Sequence, residues 1–147
     1  MTTLYKFDPI DLPSAADANP ERIKLWTDAL RSGKYKRTRR VLSDGEGYCC
    51  LGVACEIAIE HGLDIGYQHE GHDDTVTGKC VRFGNESSHL PMEVADWYGL
   101  DSRNPWVTWN GHDYTLAALN DDGAFEFPEL ADLIDAKYCP QPELVDA

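Results

Sequence analysis

The chain has 147 residues, 42% of them hydrophobic, with four Trp, seven Tyr and a formal net charge of −13. That length fits one domain with a sizeable core, and the composition excludes a disordered tail. No run approaches the roughly 18 apolar residues of a membrane span, and the net charge disfavours direct binding to nucleic acid, whose phosphates need cations.

Residues 1–18 read as an N-terminal arm with Pro9, Pro13 and scattered Asp, and 19–147 as one globular domain. Asn19-Pro20 predicts a helix start, with Asn19 as N-cap, Pro20 at the first position and Gly33 as the stop. Ile23, Trp26, Ala29 and Leu30 share its core face. A weak strand or hairpin is expected from Tyr35, turning at Ser43-Asp44-Gly45-Glu46-Gly47. The apolar run Tyr48-Cys49-Cys50-Leu51 then passes into a central helix over Val53–His61, with Glu56 and Glu60 on its wet side and Gly62 ending it.

Thr75-Val76-Thr77 and Cys80-Val81-Arg82-Phe83 read as two strands about Gly78-Lys79. Leu90–Tyr98 predicts a short helix stopped by Gly99. Trp106–Trp109 is strand-like, with Asn110-Gly111 as a tight turn. Thr115 caps a helix that Gly123 ends, and Pro128 opens a last helix facing the core with Leu130, Leu133, Ile134 and Tyr138. The expected fold is α+β: about five short helices with a small antiparallel sheet.

Charge is segregated. Eight of the 13 Lys and Arg lie between Arg22 and Arg40, whereas from Asp101 onward ten acidic residues face only Arg103 and Lys137. Five cysteines, an odd count with Cys49 and Cys50 adjacent, read as reduced thiols that behave as small hydrophobes. Met1–Asp8 lacks a charged leader before an apolar run, so a cytoplasmic address is expected.

Two ordered sets of residues carry a resemblance. Trp26-x-x-Ala29-Leu30-x-x-Gly33-x-Tyr35 precedes Tyr48-Cys49-Cys50-Leu51-Gly52-Val53-x-Cys55. Downstream stand Leu90-Pro91, Trp97, Gly99-Leu100, then Leu116-Ala117-x-Leu119-Asn120-Asp121 and Phe127-x-x-x-Ala131-Asp132-Leu133-Ile134. From about Trp26 to Ile134 the chain resembles a family of small proteins of tailed phages and prophages, many from actinobacterial hosts. Pro128 and Leu130 stand where other small or aliphatic residues are common in it. The resemblance implies a phage-encoded protein acting in a host cytoplasm, and it implies no activity.

Several constellations offer chemistry, each beside a structural alternative. Cys50 at a helix start can have a lowered pKa, and with His89 or His112 and Asn120 it supplies the residue types of a cysteine hydrolase or transferase; buried structural thiols are the alternative. His69-Glu70-Gly71-His72-Asp73-Asp74 holds metal-ligating types without a rigid element to set their spacing, so no metal is expected. Asn120-Asp121-Asp122-Gly123 reads as capping and turn chemistry, or as ligand contacts. Trp97, Tyr98, Trp106, Trp109 and Tyr114 can stack on a base or fill the core. No phosphate-binding glycine loop occurs, and no cofactor is expected.

The favoured expectation is a non-enzymatic accessory protein that binds a host protein or a small phosphate-bearing, nucleotide-like ligand. Arg37, Arg39, Arg40, Trp106, Asn120 and Asp121 are its candidate contacts. The alternatives are the thiol enzyme built on Cys50, His112 and Asn120, and an acidic mimic of DNA that blocks a host nucleic-acid enzyme.

Overall fold

A computed structural model describes residues 18–65, 68–72 and 79–139, with the backbone alone for 68–72 and Lys79. The arm falls outside the described residues except for Ala18. Helix α1 (Pro20–Arg31) opens as its sequence dictates: the Asn19 side chain accepts the Arg22 N–H at 3.2 Å, and Gly33 follows the last turn with φ +76°. Ile23, Trp26, Ala29 and Leu30 are buried along one face, which packs against α2 and α5. Trp26 has no exposed surface, and burying a ring of that size contributes on the order of 4 kcal/mol. Its indole N–H donates to the Cys50 carbonyl at 2.9 Å, so the polar end of the ring is also satisfied.

The basic segment after α1 is not a regular hairpin. It makes isolated bridges, Arg37 with Tyr48 and Ser43 with Tyr48, and is held by a turn built on Asp44. The Asp44 carboxylate accepts the N–H groups of Glu46 (2.9 Å) and Gly47 (2.7 Å) and the Thr38 hydroxyl (2.9 Å). Burial raises the pKa of this carboxyl, but those hydrogen bonds outweigh it and hold the group below the usual carboxylate range.

Helix α2 (Cys50–Glu60) begins three residues earlier than the predicted Val53. The reason lies in its N-terminus, where donors that ordinarily need a polar cap find partners. Cys49 acts as the N-cap, its Sγ accepting the Gly52 N–H at 3.4 Å, and a distant side chain takes the Cys50 N–H. A thiol is a weaker acceptor than the usual Ser or Asp, yet it is buried here without stranding a charge. Gly52 lies inside the helix because the Leu42 backbone crosses it: a Cβ there would stand 1.8 Å from the Leu42 carbonyl oxygen. Tyr98 donates to the Ala54 carbonyl at 2.6 Å, so α2 is gripped by two buried aromatic side chains.

β1 (Gln68–His72) pairs antiparallel with β2 (Lys79–Phe83). The segment 69–74, read as having no rigid element, is therefore a strand in part, and it supplies the partner that the sequence assigned to Thr75-Val76-Thr77, which lies outside the described residues. Helix α3 (Met92–Tyr98) ends at Gly99, φ +77°. β3 (Trp106–Trp109) and β4 (His112–Thr115) form a second antiparallel pair about Asn110-Gly111, both with positive φ, as a tight mirror-type turn requires.

Thr115 caps α4 (Leu116–Asp122) by accepting the Ala118 N–H at 3.2 Å. α5 (Phe127–Tyr138) opens with a reciprocal capping box between Glu126 and Glu129. Leu130, Ala131, Ile134 and Tyr138 face the core, while Leu133 is only half-buried. Among the described residues the fold is α+β, five helices with two-stranded antiparallel sheets, as the sequence predicts. Among the described residues no helix is long and apolar enough to cross a membrane.

Because Leu42 cannot retreat from α2 without breaking its bond to the Cys49 N–H (3.1 Å), Gly52→Ala must distort the junction. We expect a loss of about 3 kcal/mol of stability, seen in thermal unfolding as a midpoint lowered by roughly 10 °C; an unchanged midpoint would contradict the close approach.

Candidate functional site

Asn120 and its neighbours form the junction from which the candidate site is built. Asn120 sits in the last turns of α4 with no exposed surface. Its Oδ1 accepts the Cys50 N–H at 3.0 Å, and its Nδ2 donates to the Thr38 carbonyl at 2.9 Å and to Asp121 Oδ1 at 3.3 Å. Only this orientation of the amide satisfies all three neighbours. The expected ligand contact at Asn120 is therefore corrected: its polar atoms are committed to the protein, and solvent does not reach them. It does not cap its own helix either; it caps α2 across 70 residues of sequence.

Asp121 is half-buried beside it, and Oδ1 also accepts the Arg40 N–H at 3.0 Å. Arg40 has φ +71°, a left-handed conformation costing a non-glycine residue roughly 1–2 kcal/mol. A hydrogen bond to a carboxylate is worth about as much, so Asp121 offsets the strain. Arg37 donates from Nη1 to the Phe125 carbonyl, and the Arg39 guanidinium lies against Gly123, where an added Cβ would stand 2.5 Å from Nη2. Three arginines are thus gathered at the C-terminal end of α4 and the turn after it. Arg39 and Arg40 are exposed, Arg37 is half-buried, and none has an ion-pair partner among the described residues.

The aromatic residues divide. Tyr98 is core, and Trp97 is covered by the Arg22 guanidinium 4.3 Å above its ring. Trp109, 43% exposed, packs edge-on against Phe125 at 5.1 Å and lies 6.2 Å from the Tyr114 ring. Because Phe125 also receives Arg37, Trp109 and Tyr114 are the aromatic neighbours of the arginine edge. Trp106 is three residues away, about 10 Å along an extended strand. It lines a separate groove of about 540 Å³ with Met92, Asp96, Leu100 and Arg103, and none of the arginines of the edge reaches it. Sequence reasoning missed Met92 and Asp96, whose only signal is their spacing on one face of α3, and Phe125, whose carbonyl is invisible to side-chain pattern.

The thiol constellation does not form a reactive site. Cys50 stands at a helix start, as expected, but burial pushes its thiol well above the ordinary value, reversing the lowered pKa. Its Sγ faces the Leu116 carbonyl at 3.8 Å, and Asn120 meets the Cys50 backbone N–H, not the sulfur or an imidazole. His112 is exposed on β4, whereas Cys50 is fully buried. Cys49 is buried and pushed up to about 12. His69 and His72 lie on β1, and their side chains fall outside the described residues; among those residues no group of three metal-ligating side chains assembles.

Native iodoacetamide labelling is expected to modify Cys139, half-exposed, and to leave Cys49, Cys50, Cys55 and Cys80 untouched until the protein unfolds. Mass spectrometry of the labelled protein reads this directly, and rapid native labelling of Cys50 would contradict its burial.

No curated protein and no solved structure matches the chain. A family model described as a domain of unknown function, DUF8296, matches residues 19–138, from the N-cap of α1 to the last residue of α5. The chain belongs to the DUF8296 family.

Proposed function

We propose that the chain is a non-enzymatic binding module of the phage accessory kind, which takes a small phosphate-bearing ligand in the host cytoplasm on the edge formed by Arg37, Arg39 and Arg40. The observation that carries this reading is the gathering of Arg37, Arg39 and Arg40 around one turn, none with a carboxylate ion-pair partner among the described residues, in a chain of net charge −13. Arg37 is tied to the Phe125 carbonyl, the Arg39 guanidinium lies against Gly123, and the Arg40 backbone is held by Asp121. Guanidinium groups suit phosphate because their planar donors match its oxygens in pairs. Exposed Trp109, with Tyr114 beside it, offers a face on which a base can stack. Asp121 acts indirectly, by fixing Arg40.

The thiol-enzyme reading has the weaker support, since its nucleophile is buried and neutral. The mimic reading has only the net charge in its favour.

The test removes cations without touching the Arg37–Phe125 bond. Arg39→Ala combined with Arg40→Gly deletes two guanidiniums, and glycine relieves the positive φ at position 40. Titration calorimetry with ATP and with inorganic phosphate should show binding to the wild-type chain that falls about tenfold or more in the double variant, while the unfolding midpoint stays equal or rises. Equal affinity in both proteins, or no binding of either probe, would overturn the assignment.

A further inference from the structure

The groove between α3 and β3 carries an inference independent of the anion reading, because it shares no residue with the arginine edge. Its floor is apolar, with Ala95 and Leu100 each 3% exposed. Its rim holds Met92 and Trp106, which are 57% and 54% exposed, the most exposed of the large hydrophobic side chains described. Isolated exposed hydrophobic residues need no explanation, but two that line one concave surface of about 540 Å³ match the dimensions of a binding site.

The rim is also ordered in advance. Lys137 Nζ donates to the Trp106 carbonyl at 2.6 Å and lies 2.9 Å from Asp101 Oδ2, while Tyr138 donates to Asp101 Oδ1 at 2.6 Å. These bonds fix the β3 backbone that carries the Trp106 ring, and a prearranged surface spends little entropy on binding.

Charge then selects the occupant. Asp101 is neutralised by Lys137, and Arg103 is paired with Glu86 and donates to the Leu90 carbonyl at 2.8 Å. Asp96, exposed on α3, has no partner among the described residues, so the groove's uncompensated charge is a carboxylate. A purely apolar occupant would cover that carboxylate without pairing it, at a desolvation cost. An anionic one would be repelled. A cation on an aliphatic stem satisfies all three features: the stem covers Met92 and Leu100, and the head is shared by the Trp106 face and Asp96.

We infer that the α3–β3 groove is a docking site for a basic segment of a partner protein, in which an Arg or Lys is flanked by apolar residues. The test uses the full chain and a capped heptapeptide of alternating leucine and arginine, with a glutamate-for-arginine peptide as control, measured by titration calorimetry. The arginine peptide should bind the wild-type chain, and the glutamate peptide should not. Asp96→Asn and Trp106→Ala, both at exposed positions that the fold does not need, should each weaken binding about tenfold. Glu93→Gln removes the same charge from the same helix outside the groove and should change nothing. Equal weakening by Glu93→Gln and Asp96→Asn would overturn the site in favour of general attraction to an acidic chain. Failure of the peptide to bind would overturn it too, as would a concentration-dependent dimer of the chain alone that Trp106→Ala abolishes, which would make a second copy the occupant.

Discussion

The side chain of Asn120 joins three parts of the chain that lie far apart in sequence, and the placement of everything around the arginine edge depends on it. Through Cys50 it completes the N-terminus of α2; through Thr38 it holds the basic segment; through Asp121 it orients the carboxylate that accepts from Arg40. Leaving the buried Cys50 N–H without a partner costs about 1–3 kcal/mol, and losing the partner of the part-buried Thr38 carbonyl adds to that. An exposed ion pair such as Lys24–Asp28 contributes at most about 1 kcal/mol. The buried amide therefore outweighs the surface ion pairs in determining where the Arg37–Arg40 backbone lies.

The two adjacent cysteines belong to the same junction. Cys49 caps a helix with its sulfur, Cys50 is packed beneath α4, and Gly52 lets the Leu42 backbone touch the helix. Each residue of Tyr48-Cys49-Cys50-Leu51-Gly52 has a structural task, with Tyr48 stacking edge-on against Tyr35 at 5.4 Å. What looked like a nucleophile's setting is a packed junction in the core, closed to solvent. On the surface, the arginine edge and the acidic, apolar groove share no residue.

The local signals were legible because they act over one or two turns. Asn19-Pro20, Gly33, Asn110-Gly111, Thr115 and Gly123 each constrain the backbone within a few residues, and each stands where its chemistry requires. The start of α2 was not legible, since its cap comes from a thiol and from an asparagine 70 residues away. The strand Gln68–His72 was missed because alternating polar residues carry no apolar period, and its identity depends on pairing with Lys79–Phe83. At the candidate site, the arginines could be named from their density, but not the glycine, carbonyl and carboxylate that arrange them. Trp106 was grouped with those arginines by residue type alone, whereas β3 places it on the other groove.

Hydrogen exchange at the Cys50 amide tests the central role of Asn120 most directly. In the wild-type chain this amide should exchange only through global unfolding, as slowly as the interior of α1. In Asn120→Ala it should lose protection by roughly a hundredfold, with stability lowered by about 3 kcal/mol. Exchange at a loop-like rate in the wild-type chain, or equal protection and stability in the variant, would contradict the account.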